Sequence, residues 1–253
     1  MKGRYFFQVK YRKESMLYVT GDTHGDFERF FQPELKKLKK GDTLFVCGDF
    51  GFIWDDSAME KKMLKKLGSQ KYNICFIDGT HENFDLLKKY KLGTYKGGIA
   101  RRISGNLYHL QRGQIYTFEE KSIFVMGGGE SPDIDFRFDK DTWSSDETPI
   151  RQELLDGAKR LQERNFKVDY ILTHEPPTKI RGLLQLRQTQ AVHITGLSNY
   201  LEELSQSCEF DKWFFGSMHV DKFISSTHTG VYQNIINMQT GEVINKDNGI
   251  KTV

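Results

Sequence analysis

The sequence predicts an α/β fold in which a parallel sheet presents polar turns along one edge. The first observation is a series of short runs with β propensity, namely Leu17–Thr20, Thr43–Cys47 and Asn73–Ile77. The second is that each run stops at a turn containing glycine and aspartate. The third is the helical spacing of apolar residues after each turn. Repeated strand–turn–helix units are typical of parallel sheets, which bind ligands beyond the carboxyl ends of their strands.

Length and composition place the chain among globular proteins. Its 253 residues have room for one large domain or two small ones. The hydrophobic content of 38% and the charged content of 28% exclude a disordered chain. No repeat, linker or boundary divides the sequence, so we expect a single domain over residues 1–253. The net charge of +3 permits an anionic substrate but does not by itself indicate nucleic acid.

Cysteine usage indicates a reducing compartment. Cys47, Cys75 and Cys208 are far apart, odd in number and include no CxxC pair, so reduced thiols in a cytoplasmic protein are expected. Residues 1–15 lack the apolar segment of a signal peptide, and no apolar run reaches membrane-spanning length. We therefore expect no membrane partner, and the oligomeric state stays open.

The remaining elements follow from periodicity and turn residues. Phe6–Tyr11 is a possible first strand, and apolar spacing from Phe27 to Leu38 predicts a helix that Pro33 kinks or restarts. Short runs separated by tight turns after residue 106 predict a second sheet that is antiparallel or mixed. Ser131–Pro149 is polar and predicts a long loop over the site. The other predicted helices are Ser57–Leu67, Phe84–Tyr90, Arg151–Asn165 and Thr195–Leu204; the other predicted strands are Leu107–Leu110, Gln114–Phe118, Lys121–Met126, Val168–Leu172, Lys212–Phe215 and an antiparallel tail over Phe223–Ile244.

Five predicted strands end in turns that carry Gly, Asp or His. In order along the chain, the turns are GDTHG, GDFG, GTHEN, THEPP and GSMH, and they contain four of the seven histidines: His24, His81, His174 and His219. An Asp in a single Gly-rich turn is commonly just turn chemistry. Carboxylate and imidazole at one sheet edge, however, suit a borderline divalent cation such as Zn, Mn or Fe.

This ordered set resembles the calcineurin-like metallophosphoesterase family, whose pattern is D-x-H, G-D, G-N-H-[DE], a lone His and G-H-x-H. The matching motifs span residues 21 to 219. The resemblance implies a four-layer αββα sandwich, with two mixed β-sheets flanked by helices and a metal cluster at the sheet edge. It also implies metal-dependent hydrolysis of phosphate esters.

The resemblance implies two metal sites of unequal quality. Asp22, His24 and His219 would hold one ion, while Asp49 would bridge to a second that also takes His174. At the family's two other ligands to that second ion, an Asn and a His, this chain has Thr80 and Ser217. Hydroxyls are poorer ligands for borderline divalent metals. We therefore expect one well-formed site for Mn, Fe, Zn or Ni, and a second that is weak, filled by substrate or empty.

Substitute ligands are the weaker alternative at the second site. Asn83, His193 and His228 are the residues considered for this role. For His193 and His228, and for His109, the favoured interpretation is an ordinary surface or hydrogen-bonded histidine.

Roles for other residues follow from the same resemblance. His81 would be the general acid that protonates the leaving oxygen, a task that suits an imidazole with a near-neutral pKa. The nucleophile would be a metal-bound hydroxide, which one ion can generate. Phe52-Ile53-Trp54 stands where the protein-phosphatase branch has an Asp-Arg pair, so that branch is disfavoured. Of three arginines able to bind phosphate as forks, Arg101, Arg102 and Arg137, only Arg137 is favoured over a surface role.

Three functional hypotheses remain. The leading one is a metal-dependent hydrolase of phosphate mono- or diesters, acting on a phosphorylated small molecule or phosphodiester, with activity reduced by Thr80 and Ser217. The alternative is a catalytically weak or inactive metallophosphoesterase fold that binds a phosphorylated ligand or a protein. A nuclease is the third; lysine-rich helices permit nucleic acid binding but do not indicate it.

Overall fold

The structure is a computed structural model that describes residues 15–131, 143–186 and 194–245. The predicted strand Phe6–Tyr11 lies outside these residues. The strands, in chain order, are β1 Leu17–Thr20, β2 Thr43–Cys47, β3 Asn73–Ile77, β4 Leu92–Tyr95, β5 Gly98–Ser104, β6 Leu107–Leu110, β7 Gln114–Phe118, β8 Lys121–Met126, β9 Tyr170–Thr173, β10 Lys212–Phe215, β11 Lys222–Phe223, β12 His228–Gly230 and β13 Ile236–Asn237.

Helices connect these strands and flank the sheets. The α-helices are α1 Ala58–Gly68, α2 Phe84–Lys88, α3 Arg151–Gln162, α4 Thr178–Gln185 and α5 Gly196–Ser207. Three 3-10 helices cover Phe27–Phe31, Leu35–Lys37 and Ser145–Glu147. Over the described parts of the chain, none of the helices has the length and apolar content needed to cross a membrane.

The strands form two mixed sheets. The seven-stranded sheet has the spatial order β13-β1-β2-β3-β6-β5-β4, and the six-stranded sheet has the order β11-β12-β10-β9-β8-β7. Within the first sheet, β1, β2 and β3 are parallel neighbours. Within the second, β8, β9, β10 and β12 pair in parallel. The carboxyl ends of neighbouring parallel strands meet at one edge of each sheet, which is where the polar turns emerge.

Alternating side chains separate three apolar cores and so define four layers. Phe45 and Cys47 of β2 pack between the sheets, whereas Leu44 and Val46 pack outward. In the second sheet, Phe214 points inward and its neighbours on β10 point outward. This period of two is the expected pattern for a sheet buried on both faces. The predicted sandwich of two mixed sheets flanked by helices is therefore confirmed.

Two local predictions were wrong. A helix that Pro33 kinks or restarts was expected from Phe27 to Leu38. The break is present at residues 32–34, where Pro33 cannot donate a backbone hydrogen bond, but the two pieces are 3-10 helices and not α-helices. The strand Leu107–Leu110 was expected in the second sheet, but as β6 it pairs in parallel with β3 in the first sheet. The tail was expected to be antiparallel, and the pairs β11–β12 and β13–β1 are antiparallel, although β12 also runs parallel to β10. Strands β4 and β5 and helix α4 were not predicted.

The glycine at the carboxyl end of β3 allows a close backbone approach that the site requires. A Cβ at Gly79 would lie 2.1 Å from Asp49 Oδ1 and 2.4 Å from the Asp49 amide nitrogen. Overpacking of this kind typically costs about 1–3 kcal/mol. We therefore expect Gly79→Ala to lower the free energy of unfolding, measured by urea denaturation, by at least about 1 kcal/mol.

The matched control is Gly182→Ala in α4, where a Cβ would meet nothing within 4 Å. Helix propensity predicts that this variant is about 0.5–1 kcal/mol more stable. If the two variants have equal stability, the close packing inferred at the end of β3 is wrong.

Candidate metal centre

Three predicted ligands converge where the two sheets meet. Asp22 and His24 follow β1 in the first sheet, and His219 follows β10 in the second. One ligand atom from each lies within 4.8 Å of the other two. His219 Nε2 is 3.2 Å from Asp22 Oδ2 and 3.1 Å from His24 Nε2. Segments almost 200 residues apart therefore bring one carboxylate and two imidazoles together.

The Asp22 carboxylate has the environment of a ligand whose partner is a cation. Its side chain is fully buried, and apart from the contact of Oδ2 with His219 Nε2 at 3.2 Å neither oxygen has a hydrogen-bond partner within the described structure. A buried carboxylate without compensation is costly, since it has lost its hydration. A divalent metal placed among Asp22, His24 and His219 would satisfy both oxygens and would suit the mixed oxygen and nitrogen donors. These residues therefore fit the metal that the sequence implies.

Asp49 and His174 form the buried part of the centre. His174 approaches both carboxylates, with Nδ1 3.6 Å from Asp22 Oδ1 and Nε2 3.6 Å from Asp49 Oδ1. Its Nδ1 is also 3.1 Å from the Cys47 carbonyl oxygen. Burial alone would lower the pKa of His174, but Asp49 and Asp22 raise it above the ordinary value. Burial alone would raise the pKa of Asp49, but His174 and His81 hold it well below the usual range.

The pKa values of His24 and His219 are shifted in opposite directions. Burial lowers the pKa of His24, although the carboxylates of Asp49 and Asp22 oppose this shift. The contact with Asp22 raises the pKa of His219, against the effect of its partial burial. Without a metal, His219 is therefore the easier of the two to protonate.

His81 and Thr80 lie against Asp49. Asp49 Oδ1 accepts hydrogen bonds from the backbone amides of Thr80 at 2.7 Å and His81 at 2.8 Å. His81 Nδ1 is 2.8 Å from Asp49 Oδ2 and 3.1 Å from the Thr80 hydroxyl oxygen. His24, Asp49 and His81 form a second set with ligand atoms within 4.8 Å of one another. His174 does not belong to either of the two sets found in the described residues.

Left-handed backbone conformations recur at the centre. His24, Asp49, Ser217 and His219 have φ values of 45°, 44°, 56° and 47°. Non-glycine residues rarely adopt this conformation, and in functional sites it is held by the surrounding structure. Gly48 has φ +94°, and a Cβ there would lie 2.0 Å from His174 Nδ1. The backbone conformation of these turns therefore orients the side chains of the candidate ligands.

Several supporting residues were missed by the sequence analysis. The buried Glu82 accepts hydrogen bonds from the Phe50 and Gly51 amides and so holds the Asp49 turn. Arg29 donates to the carbonyl oxygens of Asp22, Gly21 and Tyr232, and the Tyr232 ring stacks on His219 at 4.7 Å. Glu82 is part of the GTHEN motif and could have been found there. Arg29 and Tyr232 are more than 200 residues apart and carry no local signal.

The alternative ligands have other partners or fall outside the described chain. The Asn83 side chain accepts from the Leu86 amide and donates to the Trp54 carbonyl, so it caps α2. His228 stacks on Trp213, and His109 hydrogen-bonds Asp78. Arg137 and His193 lie outside the described residues, so their predicted roles are not examined by the structure.

Two mixed sheets with Asp and His side chains at their carboxyl edges define an α/β sandwich with a candidate metal centre. The profile of the calcineurin-like phosphoesterases matches residues 16–221, most of the chain. The chain therefore belongs to the calcineurin-like phosphoesterase family. Membership implies metal-dependent phosphoester hydrolysis in general terms. The predicted family is confirmed.

Structural comparison finds 24 matching chains among solved structures. One is the phosphopantetheinyl hydrolase of Mycobacterium tuberculosis, with a TM-score of 0.42 and 12% identity over 87% of this chain and 90% of that chain. Another is AQ665 of Aquifex aeolicus, a protein of unknown function, with a TM-score of 0.31 and 17% identity over 64% and 81% of the respective chains. At these scores, neither likeness indicates the substrate of this chain. The search of curated proteins gives no match.

A buried ion network braces β3 just before the Thr80–His81 turn. Asp78 accepts from Arg112 Nε at 2.7 Å and lies 3.0 Å from His109 Nε2. Gln111 Nε2 lies 3.0 Å from His109 Nδ1, which leaves His109 Nε2–H to donate to Asp78. Burial alone would raise the pKa of Asp78, but Arg112 and His109 hold it well below the usual range. The network connects β3 to the β6–β7 loop.

Asp78→Asn should destabilise the fold in a pH-dependent way. Removing one partner of a buried ion pair costs about 3–5 kcal/mol, so a loss of this size is expected at pH 7. Because the folded-state pKa is depressed, the stabilisation is complete above the unfolded pKa of about 3.9 and is lost below it. Below pH 3.9, the difference in the free energy of unfolding between the wild type and the variant should therefore become smaller by about 1.4 kcal/mol per pH unit.

Urea denaturation across this pH range measures the effect. The control is Asp85→Asn, an exposed carboxylate on α2, which should change the free energy of unfolding by less than about 0.5 kcal/mol at pH 7. A destabilisation by Asp78→Asn that stays constant down to pH 3 (roughly one unit below the ordinary Asp pKa) would contradict the ionic origin of the effect.

Proposed function

We propose that this chain hydrolyses phosphate mono- or diesters of a phosphorylated small molecule or phosphodiester, at one well-formed divalent metal site. The observation that carries the proposal is the buried Asp22 carboxylate, which receives no backbone hydrogen bond from the described residues and faces two imidazoles. Asp22, His24 and His219 would hold the ion, which can be Mn, Fe, Zn or Ni. When bound, the cation lowers the pKa of a coordinated water and supplies the nucleophile.

His81 is proposed as the proton donor to the leaving oxygen. Its Nδ1 is held by Asp49, and its side chain is 40% exposed, so the ring is both oriented and open to a substrate. With Nδ1–H donated to the carboxylate, Nε2 is the atom that would pass a proton to the leaving group. Asp49 is then a positioning residue for this step as well as a proposed metal ligand.

The second metal site is proposed to be weak. The Thr80 hydroxyl is engaged with His81, and Asp49 Oδ1 is engaged with two backbone amides. His174 and Asp49 are the family ligands that remain there, and Ser217 supplies only a hydroxyl. The same residues favour the second candidate function, a fold with little or no activity that binds a phosphorylated ligand or a protein. A cytoplasmic location is proposed from the three free cysteines.

Activity against simple esters tests the proposed chemistry. The wild type is assayed on bis(p-nitrophenyl) phosphate, p-nitrophenyl phosphate and phenyl phosphate with added Mn²⁺, Ni²⁺ or Zn²⁺. We expect metal-dependent turnover that Asp49→Ala abolishes. His81→Ala should lower kcat by about 10²–10⁴ on phenyl phosphate, and less on p-nitrophenyl phosphate, because the more basic phenolate needs a proton to leave. Equal turnover by wild type and His81→Ala on phenyl phosphate would contradict the acid role.

A double variant separates the two candidate functions. Thr80→Asn combined with Ser217→His restores the ligands of the second site. A modest gain over an active wild type supports an enzyme with a weakened second site. An inert wild type together with a large gain in the double variant favours the binding function.

A further inference from the structure

A cavity of about 280 Å³ lies beside the segment that carries Thr80 and His81. Asp78 lines it before that segment, and Phe84 lines it after. No member of the two ligand sets at the metal centre lines the cavity. Its size is just below that of typical small-molecule pockets, which suits a ligand of about one ring and one polar group.

Most of the charged groups around the cavity are paired with each other. Arg112 contacts Asp78 and Glu153, and Lys88 contacts Asp146. These pairs bind β3, α2, α3 and the Ser145–Glu147 helix together. The cations in these pairs are thus neutralised from within the protein.

Arg101 is the exception. Its guanidinium Nη1 donates to the backbone carbonyls of Tyr90 at 2.5 Å and Lys88 at 3.2 Å. No carboxylate of the described residues lies within ion-pair distance of it, although the side chain is half-buried. Partial burial lowers the pKa of Arg101, and no neighbouring acid opposes this shift. For Arg112, in contrast, the acidic neighbours raise the pKa despite burial. Arg101 therefore carries a partly desolvated charge that no carboxylate in the described part of the chain balances.

Apolar side chains form another part of the lining of the cavity. Phe84 and Leu87 of α2 are buried on one side, and Ile150 is exposed at the start of α3. His109 is the register partner of Arg101 across β5 and β6, and it also lines the cavity. An apolar surface next to a free guanidinium fork matches a ligand with an anionic group on an apolar body.

We propose that this cavity is a ligand site, separate from the metal centre, for a small molecule that carries a carboxylate or phosphate group on an apolar body. Arg101 binds the anion through the guanidinium nitrogens that its backbone contacts leave available. Phe84, Leu87 and Ile150 contact the apolar body. The site does not depend on the proposed function, because none of its lining residues is a proposed metal ligand or proton donor.

Isothermal titration calorimetry of the metal-loaded protein tests the site with two probes. Benzoate carries a carboxylate on one ring, and phenylphosphonate carries a non-hydrolysable phosphate mimic. The probe with the lower Kd identifies the class of anion that the site prefers. Benzamide is the neutral control and should bind at least about tenfold more weakly than benzoate, since charge-assisted hydrogen bonds contribute more than neutral ones.

Arg101→Gln should raise the Kd of both probes by about tenfold or more. The matched control is Arg102→Gln. Arg102 is the next residue on β5, is exposed, contacts the Gly105 carbonyl and does not line the cavity. Arg102→Gln and the metal-centre variant Asp49→Asn should leave the Kd of benzoate, the probe that is not a phosphate mimic, within about twofold. Arg101→Lys should bind with intermediate affinity, since it keeps the charge but loses the fork.

Two results would overturn the proposal. One is no binding of either probe to the wild type at about 10 mM, a concentration that would reveal even millimolar affinity. The other is binding that Asp49→Asn removes and Arg101→Gln does not, which would place the probes at the metal centre. If Arg101→Gln does not fold, a wild-type crystal soaked with benzoate decides: density against Arg101 supports the site, and density elsewhere or none rejects it.

Discussion

Two carboxylates, Asp22 and Asp49, are buried side by side where the two sheets meet, and their charge has to be balanced by cations. Taking a carboxylate out of water costs several kcal/mol, even after the protein relaxes around it. His174 lies within 3.6 Å of both carboxylates and supplies part of the balance. Asp49 accepts hydrogen bonds from two backbone amides, but no backbone amide of the described structure donates to the Asp22 carboxylate. A divalent cation would balance the negative charge that remains. The same ion would then stabilise the fold and supply the proposed chemistry.

The backbone is shaped to keep these groups in place. Left-handed residues cost roughly 1–2 kcal/mol each, and His24, Asp49, Ser217 and His219 all adopt this conformation. The strain is held by rigid neighbours: Glu82 binds the Asp49 turn, Arg29 binds the carbonyls after β1, and Asp78 anchors the end of β3 through Arg112. Packing in the three apolar cores stabilises the fold and so offsets the cost of these strained residues.

The sequence was most informative where local rules and burial agree. Thr43–Cys47 and Asn73–Ile77 were predicted at their observed bounds, because each is an apolar run of β-prone residues bounded by turn residues. The convergence of the strand-end turns followed from parallel topology, and the family that they indicated is confirmed. For Phe27–Leu38, local rules predicted the break at Pro33 but not that the segments on either side of it are 3-10 helices.

Other features could not be predicted because nothing in the local sequence encodes them. Strand β4 is largely exposed, so it lacks the apolar pattern of a buried strand. Arg29, Arg112 and Tyr232 support the site through contacts between distant segments. Arg101 was interpreted as a surface residue; only the structure reveals that it is half-buried, lines a cavity and has no acidic partner among the residues that the structure describes. The proposed roles of the ligands and of His81 stay predictions.

Anomalous diffraction from a crystal soaked in Mn²⁺ tests the central claim most directly, since it locates the ion without relying on turnover. The account predicts one strong peak among Asp22, His24 and His219, and a weak or absent second peak beside Asp49. No peak near Asp22 would contradict the assignment of that buried carboxylate as a metal ligand. Two peaks of equal height would contradict the inferred weakness of the site at Thr80 and Ser217.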